Sequence, residues 1–111
     1  MAKLEQHFSG SFDSALQTLH QAILNGSATA SYEDGSNYCS ADGTRVAVRV
    51  YERYSYLGQN RVSLQLTLFG SAGDYYLTAI TSGGSQAVFF KLNTLGEEAF
   101  LDKVREIIST L

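Results

Sequence analysis

The sequence predicts an α+β domain in which a single antiparallel sheet of five to six strands carries two helices packed on one face. Three observations predict this fold: helical apolar periodicity near both ends of the chain, alternating runs between them, and short glycine-containing breaks of hairpin length. The expected order of elements is β-α-β-β-β-β-β-α. The chain has 111 residues and is expected to form one domain over residues 1–111.

The first two elements are predicted to be a short strand and an amphipathic helix. Residues 3–10 alternate between apolar and polar side chains, as a half-buried strand does. Ser11 is a suitable N-cap, Asp13 lies in the first turn where the helix dipole favours a carboxylate, and Asn25-Gly26 ends the helix. The apolar stripe of this helix consists of Phe12, Leu16, Leu19 and Ile23.

The middle of the chain predicts a series of hairpins. It begins with a strand over 28–33 that continues near 37–40 past a bulge or turn at Asp34-Gly35, and a hairpin follows at Asp42-Gly43. Later breaks are expected at 58–60 and 70–73, and the last two strands at 75–81 and 87–92.

Two alternating sets of apolar residues are expected to form the sheet face beneath the helices. These residues are Val46, Val48, Val50, Leu64, Leu66 and Leu68. The second helix is predicted over residues 94–111, because Thr94 and Glu97 have the spacing of a capping box. Its apolar stripe consists of Phe100, Val104, Ile107, Ile108 and Leu111.

The charge and the residue composition of the chain argue against several classes of function. The formal net charge is −3 and the isoelectric point about 5.2, so no overall field attracts nucleic acid or an anionic membrane. Cys39 has no second cysteine for an internal disulfide, and one cysteine with two histidines does not make a metal-ligand cluster. No apolar run reaches the length of a membrane span. The expectation is a soluble cytoplasmic protein without a metal, a cofactor or a membrane partner.

The small-residue stretch Ser82, Gly83, Gly84 and Ser85 is a weak candidate for a binding loop. Phosphate-binding loops present successive backbone N–H groups just ahead of a helix N-terminus. Here the residues that follow the stretch read as a strand, and no Lys-Ser or Lys-Thr pair follows the glycines. The stretch is therefore expected to be a hairpin turn in which glycine supplies positive φ values.

The stronger candidate is a group of arginine and aromatic side chains expected on the open face of the sheet, away from the helices. Arginine beside aromatic rings on an exposed sheet is a surface that stacks single-stranded bases. The other interpretation is cross-strand pairing of arginine with glutamate on a partly apolar face that is covered in a homodimer. The candidate interface or binding residues are Arg49, Tyr51, Arg53, Arg61, Phe69 and Phe89.

The motifs of the chain indicate no catalytic residue. The sequence has no Gly-x-Ser-x-Gly elbow, and His7 and His20 belong to no metal-binding helix motif. Glu52 lies on the valine side of its strand and would act as a general base only if it were buried, whereas a solvated position is expected. The protein is therefore expected not to be an enzyme.

Three runs of the sequence resemble an uncharacterised domain-of-unknown-function family of small proteins from Firmicutes. The runs are ILNGSATASYEDGS (23–36), VAVRVYERYSYLGQNRVSLQLTL (46–68) and AITSGGSQAVFFKLNTLGEEAFL (79–101). The resemblance covers nearly the whole chain. It implies a small cytoplasmic single-domain protein, and it brings no activity, ligand or catalytic residue.

Three functions stay open on the sequence alone. The leading expectation is an assembly domain that forms a homo-oligomer, in particular a homodimer, through the open face. The alternative is a protein that binds a small acyl or nucleotide-like molecule, either between helix and sheet or against the glycine-rich turn. The third is binding of single-stranded nucleic acid through the arginine and tyrosine side chains.

Overall fold

The computed structural model describes residues 2–26, 28–55 and 60–83. In this part of the chain one α-helix and five β-strands follow one another in the order β-α-β-β-β-β. The elements are β1 (Ala2–Ser9), α1 (Phe12–Asn25), β2 (Ser31–Cys39), β3 (Arg45–Ser55), β4 (Asn60–Ser71) and β5 (Asp74–Gly83). The strand expected at 87–92 and the helix expected at 94–111 lie outside the described residues.

The five strands form one antiparallel sheet in the order β1-β5-β4-β3-β2. Strands β2 to β5 pair with their neighbours in sequence. Strand β1 pairs with β5 at one edge, and the chain then passes through α1 to β2 at the opposite edge. This arrangement is the predicted α+β class, with a single antiparallel sheet of five strands.

Helix α1 begins and ends where the sequence predicts. The Ser11 hydroxyl accepts a hydrogen bond from the backbone N–H of Ser14 at 3.2 Å, which satisfies one of the free donors of the first turn. The backbone N–H of Gly26 donates to the carbonyl of Ala22 and closes the last turn. The buried face of the helix consists of Phe12, Ala15, Leu19 and Ile23.

Glycine and aspartate shape two of the hairpin connections. Between β2 and β3, the Asp42 carboxylate accepts from the backbone N–H of Thr44 at 3.0 Å and from the Ser40 hydroxyl, and these bonds lower its pKa to about 2. Between β4 and β5, Ala72 and Gly73 have φ values of 53° and 80°, the positive values that a tight two-residue hairpin requires.

The structure reverses the expected sides of β3. Ala47 lies opposite Leu68 and Tyr51 opposite Leu64, and directly opposed residues share a face of the sheet. All four side chains are buried in the core with α1. The valines expected in the core, Val46, Val48 and Val50, therefore lie half-buried on the open face. Alternation separates the two sides of a strand, but it does not say which side a helix covers.

Candidate functional site

The structure divides the predicted arginine and aromatic group between the two faces of the sheet. Arg49, Tyr51 and Arg53 lie opposite core residues of β4, so they belong to the face that α1 covers. Arg61 and Phe69 lie on the open face. The expected placement of all these residues on one face is therefore wrong. Tyr51 is also fully buried, so its side chain does not reach a partner at the surface.

The remaining predicted residues lie at or beyond the end of β5. Ser82 and Gly83 are the last residues of this strand, where they pair with β4. They are strand residues and not part of a turn, because β4 is long enough to continue the ladder alongside them. Gly84, Ser85 and Phe89 lie outside the described residues.

An aromatic row crosses the open face from one edge of the sheet to the other. The row consists of His7, Tyr76, Phe69, Val46 and Tyr38, which are successive cross-strand neighbours on β1, β5, β4, β3 and β2. The side chains of Tyr38, Tyr76 and Phe69 are 68%, 52% and 45% exposed. The His7 and Tyr76 rings lie 4.8 Å apart, so the row has internal contacts although its outer side faces solvent.

The apolar character of the open face extends beyond the aromatic row. Val48, Val50 and Ile80 lie on the same face, further along their strands, and each is half-buried. β-Branched side chains of this kind ordinarily enter a core or an interface. The open face therefore has an apolar centre that α1 does not cover.

Three pairs of oppositely charged groups lie on the open face. Lys3 contacts Glu5 at 3.3 Å, Arg61 contacts Glu52 at 3.3 Å, and His7 contacts Asp74. These pairs are exposed and add little stability. They do, however, place a carboxylate beside each of these basic side chains. Glu52 is thus part of a surface ion pair, as its predicted solvated position requires.

On the opposite face, Arg45 connects β3 to the first turn of α1. Its guanidinium donates to both carboxylate oxygens of Asp13, at 2.8 and 3.1 Å, and lies 4.1 Å from the centre of the Phe12 ring. The bidentate hydrogen bonding from Arg45 holds the pKa of the Asp13 carboxyl below its usual range. The two residues together fix α1 against the sheet.

A groove lies between one side of α1 and strands β2 and β3, with a volume of about 270 Å³. Its lining residues are Asp13, Leu16, Gln17, His20, Tyr32 and Arg49. The four helical members have i, i+3, i+4 and i+7 spacing and so share one side of α1. This spacing is visible in the sequence, but the residue types do not distinguish this side of α1 as a site. Its contact with Tyr32 and Arg49 depends on the tertiary structure.

Two lining residues of the groove, His20 and Tyr32, belong to an aromatic cluster around the buried hydroxyl of Tyr51. The Tyr51 hydroxyl lies 2.8 Å from Nδ1 of His20, and the rings of His20, Tyr32 and Tyr51 lie 5.3–5.7 Å from one another. Burial raises the pKa of Tyr51 to about 12, so this hydroxyl keeps its proton over the physiological range. The hydrogen bond between this hydroxyl and His20 therefore joins α1 to β3.

Arg49 is held in the groove by the backbone of the sheet. Its Nη1 donates to the carbonyl of Val48 at 2.9 Å and to that of Ser36 at 3.2 Å. The opposing residue, Gly35, has no side chain, and a Cβ there would lie 2.7 Å from the Val48 carbonyl oxygen and 2.9 Å from Cδ of Arg49. Glycine at position 35 therefore leaves the space in which the Arg49 side chain reaches the Ser36 carbonyl of β2.

The described part of the chain was compared with two further kinds of feature, a metal-binding cluster and a membrane-spanning helix. Within residues 2–26, 28–55 and 60–83, no three histidine, cysteine or carboxylate side chains are grouped to hold a metal ion. Over the same ranges, no helix is long and apolar enough to cross a membrane. Cys39 is a free, exposed thiol.

Comparison with known proteins bears on the chain as a whole. The model of a family of unknown function, DUF6054, matches residues 1–111. The chain belongs to this family. The resemblance to an uncharacterised domain family is thereby confirmed, and DUF6054 membership assigns no activity. No curated protein and no solved structure matches the chain. The functional interpretation of this DUF6054 member therefore depends on its two surfaces, the open face and the groove.

Proposed function

We propose that the protein is a small cytoplasmic assembly domain that forms a homodimer through its open face. The observation that carries the proposal is the aromatic row, whose phenylalanine and tyrosines are 45–68% exposed on the face of the sheet that α1 does not cover. Exposed apolar patches of this kind mark surfaces that bind other proteins. Arg61 and Phe69 remain candidate interface residues, whereas the interface does not include Tyr51.

The size of the open face suits a dimer interface. Its five strands are 8–12 residues long. With strands about 4.8 Å apart and a rise of about 3.3 Å per residue, the face covers roughly 600–900 Å². A stable protein–protein interface buries about 800 Å² on each partner. One copy of the open face therefore provides enough area for an interface.

A second copy is the partner that the chemistry of the face favours. Two twisted antiparallel sheets pack face to face at about 10 Å with apolar side chains between them, and a second open face supplies such a surface. The ion pairs of the open face leave it without a strong field toward a basic or acidic partner. A cytoplasmic location is supported by the free, exposed Cys39, since reducing compartments keep such thiols unpaired.

The other proposed functions have different support. Single-stranded nucleic acid binding is the weaker alternative, because Arg49 and Arg53 are not on the open face and Arg61 is paired with Glu52. Salt-dependent binding of an oligonucleotide would favour it. Small-molecule binding between helix and sheet is supported by the groove, which lies on the other side of the sheet.

The dimer is tested by measuring the molar mass of the full chain with light scattering over a range of concentrations. The wild-type protein is expected to have twice the mass of one chain. Phe69→Lys is expected to give a monomer, because it places a charge in the apolar centre of the proposed interface. Gln21→Lys adds the same charge on the exposed side of α1 and should leave the dimer intact. A wild-type protein that remains monomeric at high concentration overturns the proposal.

A further inference from the structure

We propose that the groove between α1, β2 and β3 binds a small organic carboxylate with a flat apolar body, and that Arg49 holds the carboxylate. This inference is independent of the dimer, since the groove and the aromatic row lie on opposite faces of the sheet. It rests on the unused donors of Arg49, the charge balance of the groove, its aromatic wall and its size.

Arg49 has donors left for a ligand. Both hydrogen bonds that the structure gives it use Nη1, and both end on backbone carbonyls. Among the described residues, no group accepts from its Nε or Nη2. These two nitrogens form the edge of a guanidinium that binds a carboxylate through two parallel hydrogen bonds. Because the backbone fixes the other end of the group, this edge is already oriented.

The charge balance of the groove favours an anion. Asp13 is the only carboxylate among the lining residues, and both of its oxygens are engaged by Arg45. No carboxylate in the described ranges forms an ion pair with Arg49. Within the described residues the guanidinium of Arg49 therefore lacks a carboxylate partner, and an anionic ligand would supply one.

His20 adds a second donor beside Arg49. Nδ1 of His20 is the only hydrogen-bond partner of the Tyr51 hydroxyl among the described residues, and the buried hydroxyl proton needs an acceptor. With Nδ1 as the acceptor, the ring N–H of His20 is the one on Nε2. Because His20 lines the groove, this N–H is a second candidate donor for a ligand there.

The apolar lining and the volume of the groove indicate the size and character of the uncharged part of the ligand. Tyr32, which is 44% exposed, and Leu16 provide apolar walls. A volume of about 270 Å³ corresponds to the space of roughly nine water molecules at about 30 Å³ each, or a ligand of about ten non-hydrogen atoms. A single aromatic ring that carries one carboxylate fits this size, whereas inorganic phosphate leaves the apolar walls without contacts.

The first test is a titration of the isotope-labelled full chain with benzoate, followed by amide chemical shifts. Benzoate is expected to bind saturably and to shift the amides of Gly35, Arg49 and His20. Benzamide, which has the ring without the charge, acetate and inorganic phosphate are each expected to bind more weakly. Equal binding of benzamide or phosphate, or shifts confined to the open face, would contradict the proposal.

The second test uses two variants of Arg49 and a matched control. Arg49→Gln is expected to weaken benzoate binding about ten- to a hundred-fold, the loss typical of a charged hydrogen-bonded contact. Arg61→Gln removes the same charge from the open face and should bind as the wild type does. Arg49→Lys keeps the positive charge but loses the planar pair of N–H donors, so it should also weaken benzoate binding. If Arg49→Gln does not fold, the affinity of Arg49→Lys tests the proposal instead. Unchanged affinity in a folded Arg49 variant rejects the site.

Discussion

At the scale of single residues, Gly70 shows how closely strands β4 and β5 approach each other. Its φ is 147°, and a Cβ there would lie 2.9 Å from Cα of Tyr75 and still closer to the carbonyl oxygen of Asp74. Both obstacles are backbone atoms, which have little freedom to move. A side chain at this position would therefore displace β5 from β4.

Gly70→Ala is expected to lower the free energy of unfolding by more than about 2 kcal/mol, because steric overlap and an unfavourable φ add together. Chemical denaturation of both proteins measures the difference. Gly43→Ala is the comparison variant: it also has a positive φ, 89°, but no atom lies within 4 Å of its Cβ position. A smaller loss for Gly70→Ala than for Gly43→Ala would contradict this explanation.

Tyr51 is the described tyrosine whose pKa is raised clearly above the ordinary value. Burial raises its pKa from 10.0 to about 12, so the folded state keeps the proton after the unfolded chain has lost it. Its contribution to stability is complete below pH 10 and is lost as the pH rises toward 12. Two pH units correspond to about 2–3 kcal/mol of unfolding free energy.

An absorbance titration of tyrosinate is expected to show one group that ionises near pH 12, and Tyr51→Phe should remove it. In urea unfolding, the free energy of unfolding of Tyr51→Phe should fall less between pH 10 and pH 12 than that of the wild type. If the late group persists in Tyr51→Phe, the assignment of the buried hydroxyl is wrong.

At the scale of elements, the exposed Asp13–Arg45 pair adds to the apolar contact between α1 and β3. The pKa of Asp13 is lowered in the folded state, chiefly by hydrogen bonding from Arg45. The carboxylate therefore stabilises the fold above its ordinary pKa of 3.8, and this stabilisation is lost as the pH falls through the lower folded value.

Asp13→Asn is expected to be less stable than the wild type at neutral pH and to approach it in acid, where both side chains are uncharged. Unfolding by urea at several pH values measures this convergence. Because Asp42 titrates in both proteins, its low pKa cancels from the comparison. A stability difference that does not change with pH would show that the ion pair is not its cause.

The sequence predicts elements better than it predicts their faces. Helix α1 and the Asp42-Gly43 hairpin follow from local signals, namely a cap, a stripe and a turn dipeptide. The sides of β3 do not, because valine alternates there with alanine, arginine and tyrosine, and both sides are partly apolar. The core accepts Tyr51 because His20 supplies a hydrogen-bond partner from α1, a contact between distant parts of the chain. Periodicity contains no information about such a contact.

At the scale of the whole molecule, the two proposed surfaces are separated by the thickness of the sheet. A dimer formed through the aromatic row leaves the groove open to solvent on the far side. Ligand binding and dimerisation can therefore be disrupted independently, and Phe69→Lys should still bind benzoate. The predicted group of arginines and aromatics is divided between the two faces because the arginines of β3 lie on the α1 side of the sheet and its valines lie on the open face.

Among the described strands, β1 is the one that has to wait for its partner as the chain is synthesised. Its pairing with β5 joins Ala2 to Thr81, whereas each of the other pairings joins strands adjacent in sequence. Closing so long a loop costs more chain entropy than closing a hairpin, so the meander of β2 to β5 forms first. Until β5 has left the ribosome, β1 has no partner. Until β1 docks, the edge of β5 is open to strand addition by another nascent chain.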